Sequence, residues 1–142
     1  MYKFLSIFIF SVLCCAAARA QMERHTPPLD ATKYVEVSDD NHDFGKIPYG
    51  IPVEYHVSLK NISDDTLALT NIVVSCGCTT PHYKPGVYAP GSTIDLTVAY
   101  NGRSDGPFKK QLSVLLQDDK AGQIVKILRF QGTGVVKNKT DN

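Results

Sequence analysis

The sequence has no tryptophan, only two methionines and four cysteines, and no segment with an apolar stripe at helical period. The missing stripe excludes a helical bundle, because an amphipathic helix needs apolar residues at positions i, i+3, i+4 and i+7. The missing tryptophan excludes an antibody-type immunoglobulin domain, which packs a buried tryptophan against a disulfide between its sheets. The 15 basic residues barely exceed the 14 acidic ones, so no cationic excess directs the chain to nucleic acid.

A long apolar run occurs once, at the amino terminus. The segment from Phe4 to Ala18 is almost wholly apolar, and Lys3 precedes it. Small residues in Ala18-Arg19-Ala20 fit a cleavage site, so residues 1–20 are predicted to be a secretory signal peptide cleaved after Ala20. The run is shorter than the roughly 20 residues of a spanning helix. We therefore expect a periplasmic or secreted protein with no membrane span after cleavage.

Two other interpretations of this segment stay open, an uncleaved anchor and a lipoprotein. Cys14 and Cys15 end the apolar run, but the residues before them lack the small side chain expected ahead of a lipidated cysteine. Cleavage would leave 13 basic residues against 14 acidic ones, with Cys76 and Cys78 as the only cysteines. A chain of this size buries enough surface to fold without a disulfide.

Short runs rich in β-branched residues and separated by turn signals predict an all-β domain. The clearest run is Val53 to Leu59, where apolar residues alternate with polar ones as in a strand with one buried face. About seven or eight such strands predict an immunoglobulin-like β-sandwich. The predicted boundaries are a flexible leader over 21–32, the sandwich over 33–136 and a disordered tail over 137–142.

Glycine and proline mark the predicted turns. Residues 81–91 are expected to form a loop, which ends in Pro90-Gly91. This pair fits a type II turn, where proline fixes the first φ and glycine takes the positive one. Gly45 and Gly50 are expected to permit turn geometry in the same way.

The carboxyl-terminal part is predicted to be a hairpin. Its strands are Phe108 to Leu116 and Ile124 to Phe130, joined by a polar loop. Gly132 and Gly134 are expected to weaken any continuation of the second strand, because glycine inside a strand has no side chain to pack.

Cys76-Gly77-Cys78 is the one unusual chemical feature of the sequence. Residues two apart in a strand share a face with Cα atoms roughly 6.5 Å apart, near the upper limit of about 6.8 Å for a disulfide. A bridge would need a bent backbone, which Gly77 would permit. Four interpretations stay open: a local disulfide or packed thiols, a redox-active pair, a soft-metal site for Cu(I) or Zn(II) with His82, and an intermolecular disulfide.

No catalytic residue or cofactor is predicted. The sequence has no nucleophile beside a base, and no helix follows the cysteines to lower a thiol pKa. Three acidic pairs fall at turns and are interpreted as turn formers: Asp39-Asp40, Asp64-Asp65 and Asp118-Asp119. The other histidines lack ligand spacing and are interpreted as solvated surface residues: His25, His42 and His56.

Several motifs in a fixed order resemble a known family. They are Phe44-Gly45-Lys46-Ile47 with Gly50, Cys76-Gly77-Cys78-Thr79-Thr80-Pro81, Pro90-Gly91 and Phe130-x-Gly132. Over about residues 43–134 they resemble exported proteins of Gram-negative bacteria classed as a domain of unknown function, which are similar to Hydin-type and major-sperm-protein-like immunoglobulin domains. Asn61 fits the asparagine of that pattern. The resemblance implies the sandwich fold and an envelope location.

The sequence therefore favours a non-enzymatic binding or structural module of the bacterial cell envelope. Its partner would be a protein or an envelope component, bound through loops or along an exposed edge strand. The alternative is a thiol-dependent redox or copper-handling role for Cys76 and Cys78. Phe44 and Tyr83 are expected to be aromatics at the edge of the core.

Overall fold

Alternating apolar residues build two β-sheets that face each other. The computed structural model describes residues 29–137, where the only helical segment is a 3-10 turn at Ala31–Lys33. One sheet has six strands and the other has four. The strands are β1 Leu29–Asp30, β2 Val35–Val37, β3 Asn41–Pro48, β4 Val53–Asn61, β5 Leu67–Val74, β6 Thr79–Tyr83, β7 Gly86–Tyr88, β8 Thr93–Tyr100, β9 Gly106–Asp118 and β10 Gly122–Val135.

The six-stranded sheet follows the order β1-β10-β9-β5-β7, and β3 also pairs with β10. Both β1 and β3 run parallel to β10, β1 beside Ile124 and β3 from Arg129 onward. The four-stranded sheet has the order β2-β4-β8-β6 and is antiparallel throughout. Among the described strands, the chain therefore changes sheet at every step from β1 to β9, and only β9 and β10 follow each other within one sheet.

The core lies between the sheets and takes alternate residues from the long strands. β4 buries Tyr55, Val57 and Leu59 while their neighbours His56 and Lys60 stay exposed. This alternation confirms the strand predicted from Val53 to Leu59 and, with the same pattern on the facing sheet, the predicted β-sandwich. Burial of these side chains supplies the main stabilisation, about 25 cal/mol for each Å² of apolar surface removed from water.

The first described strand begins at Leu29, four residues before the boundary predicted for the sandwich. Leu29 and Asp30 pair with Ile124 and Val125, and Ala31 is buried in the core. Pro27 and Pro28 directly precede this segment, and because proline is unfavourable in strands, the sequence pattern does not predict a strand here. The predicted signal peptide, most of the predicted leader and residues 138–142 lie outside the described residues.

The expected weakening at Gly132 and Gly134 is wrong, because β10 continues to Val135. A Cβ on Gly132 would lie 2.8 Å from the Phe108 ring, and one on Gly134 would lie 1.7 Å from the Ser104 carbonyl oxygen. The glycines therefore let neighbouring segments pack directly on the strand, which is a second reason for glycine inside a strand.

The loop expected over 81–91 is also wrong in part, since it contains the end of β6 and all of β7. Pro81 is tolerated because β6 is an edge strand with β8 as its only partner. These two short strands, with β1, raise the number from the expected seven or eight to ten.

The predicted turn at Pro90-Gly91 is confirmed. Gly91 has φ of +79°, and the Ser92 N–H donates to the Ala89 carbonyl oxygen at 3.0 Å. Gly45 and Gly50 also take positive φ, 64° and 76°. Gly77, expected to permit the bend between the cysteines, lies in a turn, where its φ is outside the left-handed region and a Cβ would meet nothing within 4 Å.

Candidate functional site

The Cys76-Gly77-Cys78 turn carries the chain from β5 in one sheet to β6 in the other. Its backbone is fixed on both sides. The Ser75 N–H donates to the Gln111 carbonyl at 3.2 Å, and the Asn101 N–H donates to the Cys78 carbonyl at 3.1 Å. A further bond of 3.4 Å from the Thr79 N–H to the Cys76 carbonyl closes the turn. These bonds do not involve the sulfurs.

The two sulfurs lie in bonding contact, with the Cα atoms 5.3 Å apart. Both cysteines are half-buried, and Cys78 packs against the core. The buried Thr79 hydroxyl lies 3.6 Å from Cys76 Sγ and 3.9 Å from Cys78 Sγ. The sequence motif includes Thr79, but the contact of its hydroxyl with both sulfurs is visible only in the structure.

A link between these two sulfurs would constrain the unfolded chain very little. Because only Gly77 lies between the cysteines, the loop-entropy relation gives roughly 1.6 kcal/mol of stabilisation, against about 4.7 kcal/mol for a loop of 100 residues. The core and the backbone bonds of the turn hold this region together. The pair is therefore a poor structural staple.

Lys110 occupies an unusual position for a lysine. It is half-buried between the exposed residues Lys109 and Gln111, and its register partner Phe130 is buried, so Lys110 lies on the core-facing side of β9. The β5–β9 register sets Val74 opposite Leu112, and beyond it the Ser75 N–H donates to the carbonyl of Gln111, the residue after Lys110. None of the ion pairs found among residues 29–137 includes Lys110. Alternation along Phe108, Lys110 and Leu112 was the sequence signal for this placement.

An open groove of about 520 Å³ on the six-stranded sheet reaches Ser75, the residue before Cys76. Lys109, Lys110 and Arg129 line it together with amide side chains. No carboxylate lines the groove within the described part of the chain. Its charge is therefore positive next to the cysteine pair.

A second polar cluster covers the opening between β3 and β4. His42 stacks on Tyr55 with ring centroids 4.4 Å apart, and its Nδ1 lies 2.6 Å from an Asp39 carboxylate oxygen. The interpretation of His42 as a solvated surface residue is therefore wrong. Phe44 packs edge-on against both His42 and Phe130, which confirms its expected place at the edge of the core.

The Tyr55 hydroxyl beneath this cluster is buried and has no hydrogen-bond partner among the described residues. Burial, together with the nearby carboxylates of Asp39 and Asp40, raises the pKa of Tyr55 to about 12. The hydroxyl is therefore neutral at physiological pH, and this cluster fills space rather than presenting a reactive phenolate.

Metal binding gains no support from the geometry. No group of three or more His, Cys, Asp or Glu side chains within residues 29–137 is arranged to hold an ion. His82, the suggested third ligand, is exposed on β6 opposite Thr97, while the half-buried Pro81 and Tyr83 flank it. Its side chain therefore projects from the outer face of the four-stranded sheet.

Asn61 acts as a structural hub at the end of β4. Its side-chain amide donates to the carbonyls of Asp65 and Tyr88, and its oxygen accepts from the Ser63 N–H and hydroxyl. The residue is fully buried. The Asn61 side chain therefore ties the end of β4 to the turn at Ser63 and Asp65 and to Tyr88 of β7.

The edge of the six-stranded sheet is open along part of β5. β7 pairs only with Leu67, Ala68 and Leu69, so no strand covers the segment Asn71–Val74 on that side in the described structure. The Ile72 N–H points to this edge and is capped by the Asn71 side chain at 2.8 Å. By the alternation of the ladder, the Val74 N–H also points outward. Val73 is 49% exposed and Val87 is 72% exposed beside it.

A model for a protein of unknown function, DUF1573, matches residues 35–133. This chain belongs to the DUF1573 family. Among solved structures, the DUF1573 chain is similar to the Vibrio cholerae VesB protease, with 16% identity and a TM-score of 0.64 over 72% of this chain and 32% of VesB. It thus matches about a third of that protease. No curated protein matches the chain.

Two further structures support the sandwich fold of this DUF1573 chain. One is the ASH/PapD-like domain 7 of human CEP192, with 12% identity and a TM-score of 0.60 over 83% of this chain and 98% of that one. The other is WR4, a major-sperm-protein family member from C. elegans, with 9% identity and a TM-score of 0.53 over 72% and 99% of the two chains. At these identities the likeness concerns the fold alone.

Within residues 29–137 the structure contains no helix with the length and apolar character that crossing a membrane requires.

Proposed function

We propose that this protein is a non-enzymatic module of the bacterial cell envelope that binds an extended segment of a partner protein along the open edge of β5. The observation that carries the proposal is the uncovered segment Asn71–Val74. An added strand there would bond to the outward carbonyl of Ile72 and to the outward N–H and carbonyl of Val74. Exposed Val73 and Val87 would supply apolar contact.

The edge also limits what can bind. Asn71 caps the Ile72 N–H, which blunts the edge against indiscriminate pairing. Tyr83 donates from its hydroxyl to the same Asn71 oxygen at 3.4 Å, so the cap is tied to β6. A partner strand would have to displace this amide or begin beyond it, which favours a specific sequence over any extended chain.

Site-specific photo-crosslinking tests the docking edge. A photoreactive residue at Val73 is expected to capture one or a few polypeptides in cells that make the protein. The same residue at Glu36, exposed on the edge strand β2 of the other sheet, is the matched control and is expected to capture none of them. Equal capture at both positions, or none at Val73, would contradict the proposal.

A backbone variant separates strand addition from simple side-chain contact. Val74→Pro removes an outward N–H without disturbing the ladder to β9, whereas Val74→Thr keeps it. Loss of crosslinking in the proline variant alone is expected. The envelope location is tested by cell fractionation and by an amino terminus at Gln21 in the exported chain.

The second candidate function is a thiol-dependent role, favoured by the contact between the Cys76 and Cys78 sulfurs.

A further inference from the structure

The turn that holds Cys76 and Cys78 is shaped to keep both sulfurs together in either redox state. Three backbone hydrogen bonds, from the N–H groups of Ser75, Thr79 and Asn101, fix the turn without using a sulfur atom. Reduction would therefore leave two thiols side by side at a fixed place. A pair prepared in this way can close again without a search through chain conformations.

Thr79 supplies a hydrogen-bond donor to the same sulfurs. Its hydroxyl lies within 3.6 Å of Cys76 Sγ and 3.9 Å of Cys78 Sγ, and the residue is buried. A hydroxyl that can turn toward a sulfur stabilises the thiolate that forms when the bond between the sulfurs breaks.

A positively charged groove reaches the residue before Cys76. The groove that reaches Ser75 is lined by Lys109, Lys110 and Arg129 without a carboxylate among the described residues. A nearby cation favours a thiolate over a thiol. The groove itself would attract a segment of negative charge.

We propose that Cys76 and Cys78 form a thiol–disulfide exchange site for an acidic polypeptide segment that carries two cysteines. The groove with Lys109, Lys110 and Arg129 would hold the acidic residues of that segment. Cys76 would receive the attack, because Cys78 packs against the core. This activity goes beyond the proposed strand-docking function and does not require it.

The exchange is balanced without any further reactant. A thiolate of the partner attacks Cys76 Sγ, a bond forms between them, and the Cys76–Cys78 bond breaks with its electron pair on Cys78 Sγ, which Thr79 stabilises. The thiolate of the partner's second cysteine then attacks the sulfur of the partner's first cysteine in the mixed disulfide. This forms a disulfide within the partner and releases Cys76 as a thiolate. The partner loses two electrons and two protons, and Cys76 and Cys78 gain them as two thiols.

The test uses the full chain with Cys14→Ser and Cys15→Ser, so that thiol counts report one pair. The oxidised protein is mixed with two synthetic peptides of equal length, each with Cys-Ala-Ala-Cys flanked either by glutamates or by lysines. At low salt the glutamate peptide is expected to reduce the pair at least tenfold faster, and added salt is expected to erase the difference. Equal rates, or no reduction by either peptide, would overturn the proposal.

Variants distinguish an effect of the groove on the exchange rate from an effect of the protein's overall positive charge. Lys110→Met and Arg129→Gln are expected to slow the glutamate peptide several-fold, whereas Lys60→Met, an exposed lysine on the other sheet, is expected to leave the rate unchanged. Thr79→Val is expected to slow exchange with both peptides, and Thr79→Ser, which keeps the hydroxyl, to restore it. Unchanged rates in all of the groove variants would refute the assigned substrate.

The point of attack is read by mass spectrometry. A glutamate peptide with one cysteine is mixed with the oxidised protein, quenched in acid and digested. The peptide is expected on Cys76, and its predominant attachment to Cys78 would overturn the assigned order. These assays contain no partner strand, so their failure would not contradict the proposed docking at β5. Failure of crosslinking at Val73, in turn, would not contradict the proposed thiol–disulfide exchange.

Discussion

Tyr55 combines a well-packed ring with a hydroxyl that no neighbour bonds. The ring stacks on His42 and meets Phe44 and Phe130, while the hydroxyl is buried without a partner among the described residues. Leaving such a group unpaired costs about 1–3 kcal/mol. The aromatic cluster therefore stabilises this side of the sandwich in spite of the hydroxyl.

We expect Tyr55→Phe to leave the free energy of unfolding at pH 7 unchanged or to raise it by about 1 kcal/mol, because the variant removes an unpaired polar group. The wild type is expected to lose stability from about pH 10 to pH 12. The folded pKa of Tyr55 is raised to about 12 from 10, so the folded state binds the proton more tightly and its advantage disappears as the pH rises.

This alkaline loss is expected to reach about 2–3 kcal/mol, since one unit of pKa corresponds to 1.36 kcal/mol. Urea unfolding between pH 7 and pH 12 measures both effects. A wild-type chain and a Tyr55→Phe chain with the same alkaline profile would show that the hydroxyl is not desolvated as described.

Glycines that look alike in the sequence differ in what surrounds them. We expect Gly134→Ala to lower the free energy of unfolding by about 2 kcal/mol or more, because its Cβ would meet the Ser104 carbonyl oxygen at 1.7 Å. Gly77→Ala is expected to change it by less than about 0.5 kcal/mol, since it meets nothing within 4 Å. Chemical denaturation compares the two, and a costly Gly77→Ala would contradict the described turn.

At the scale of strands, the short β1 holds the first described residues to the six-stranded sheet before the chain crosses to β2 in the other sheet. β1 has two residues, but it places Ala31 in the core and extends the parallel edge of β10. The Lys126 ammonium also bonds Asp40 at 2.7 Å and holds the pKa of that carboxyl below its usual range. The start of the sandwich is thus anchored to β10 by backbone and side chain.

Of two truncated chains, a first that begins at Leu29 and a second that begins at Thr32, we expect the second to be less stable by roughly 2 kcal/mol. The second truncation removes the β1 hydrogen bonds, each worth about 1 kcal/mol, together with buried Ala31. Thermal unfolding of both chains measures the difference. Equal stability would show that β1 adds nothing to the sheet.

Alternation alone predicted the strands whose neighbours are ordinary, such as β4 and the β9–β10 hairpin. It failed where the segment that packs against a residue determines whether that residue lies in a strand. Pro81 suggests a loop until β8 is seen to be its only partner, and Gly132 suggests a break until Phe108 is seen against it. Cys76 and Cys78 were identified from spacing, whereas the contact of the Thr79 hydroxyl with both sulfurs and the core-facing position of Lys110 on β9 are visible only in the structure.

For the whole molecule, stability resides in the two-sheet core, and the cysteine pair adds little. We expect Cys76→Ser with Cys78→Ser to lower the free energy of unfolding by no more than about 1.6 kcal/mol, the entropy of so small a loop. Urea unfolding of the oxidised, reduced and double-variant chains measures it. A loss of about 4 kcal/mol would mark the pair as a structural staple and would count against redox cycling in the folded protein.

The position of β10 determines when the larger sheet can form as the chain is synthesised. Both β1 and β3 depend on β10 for their parallel pairing, and β10 is the last of the described strands to be synthesised. A chain that emerges amino terminus first therefore cannot complete its larger sheet until residues up to Val135 are made. Under the export proposed above, this order would keep the polypeptide unfolded during translocation, because the strand that completes the larger sheet is the last of the described strands to be made.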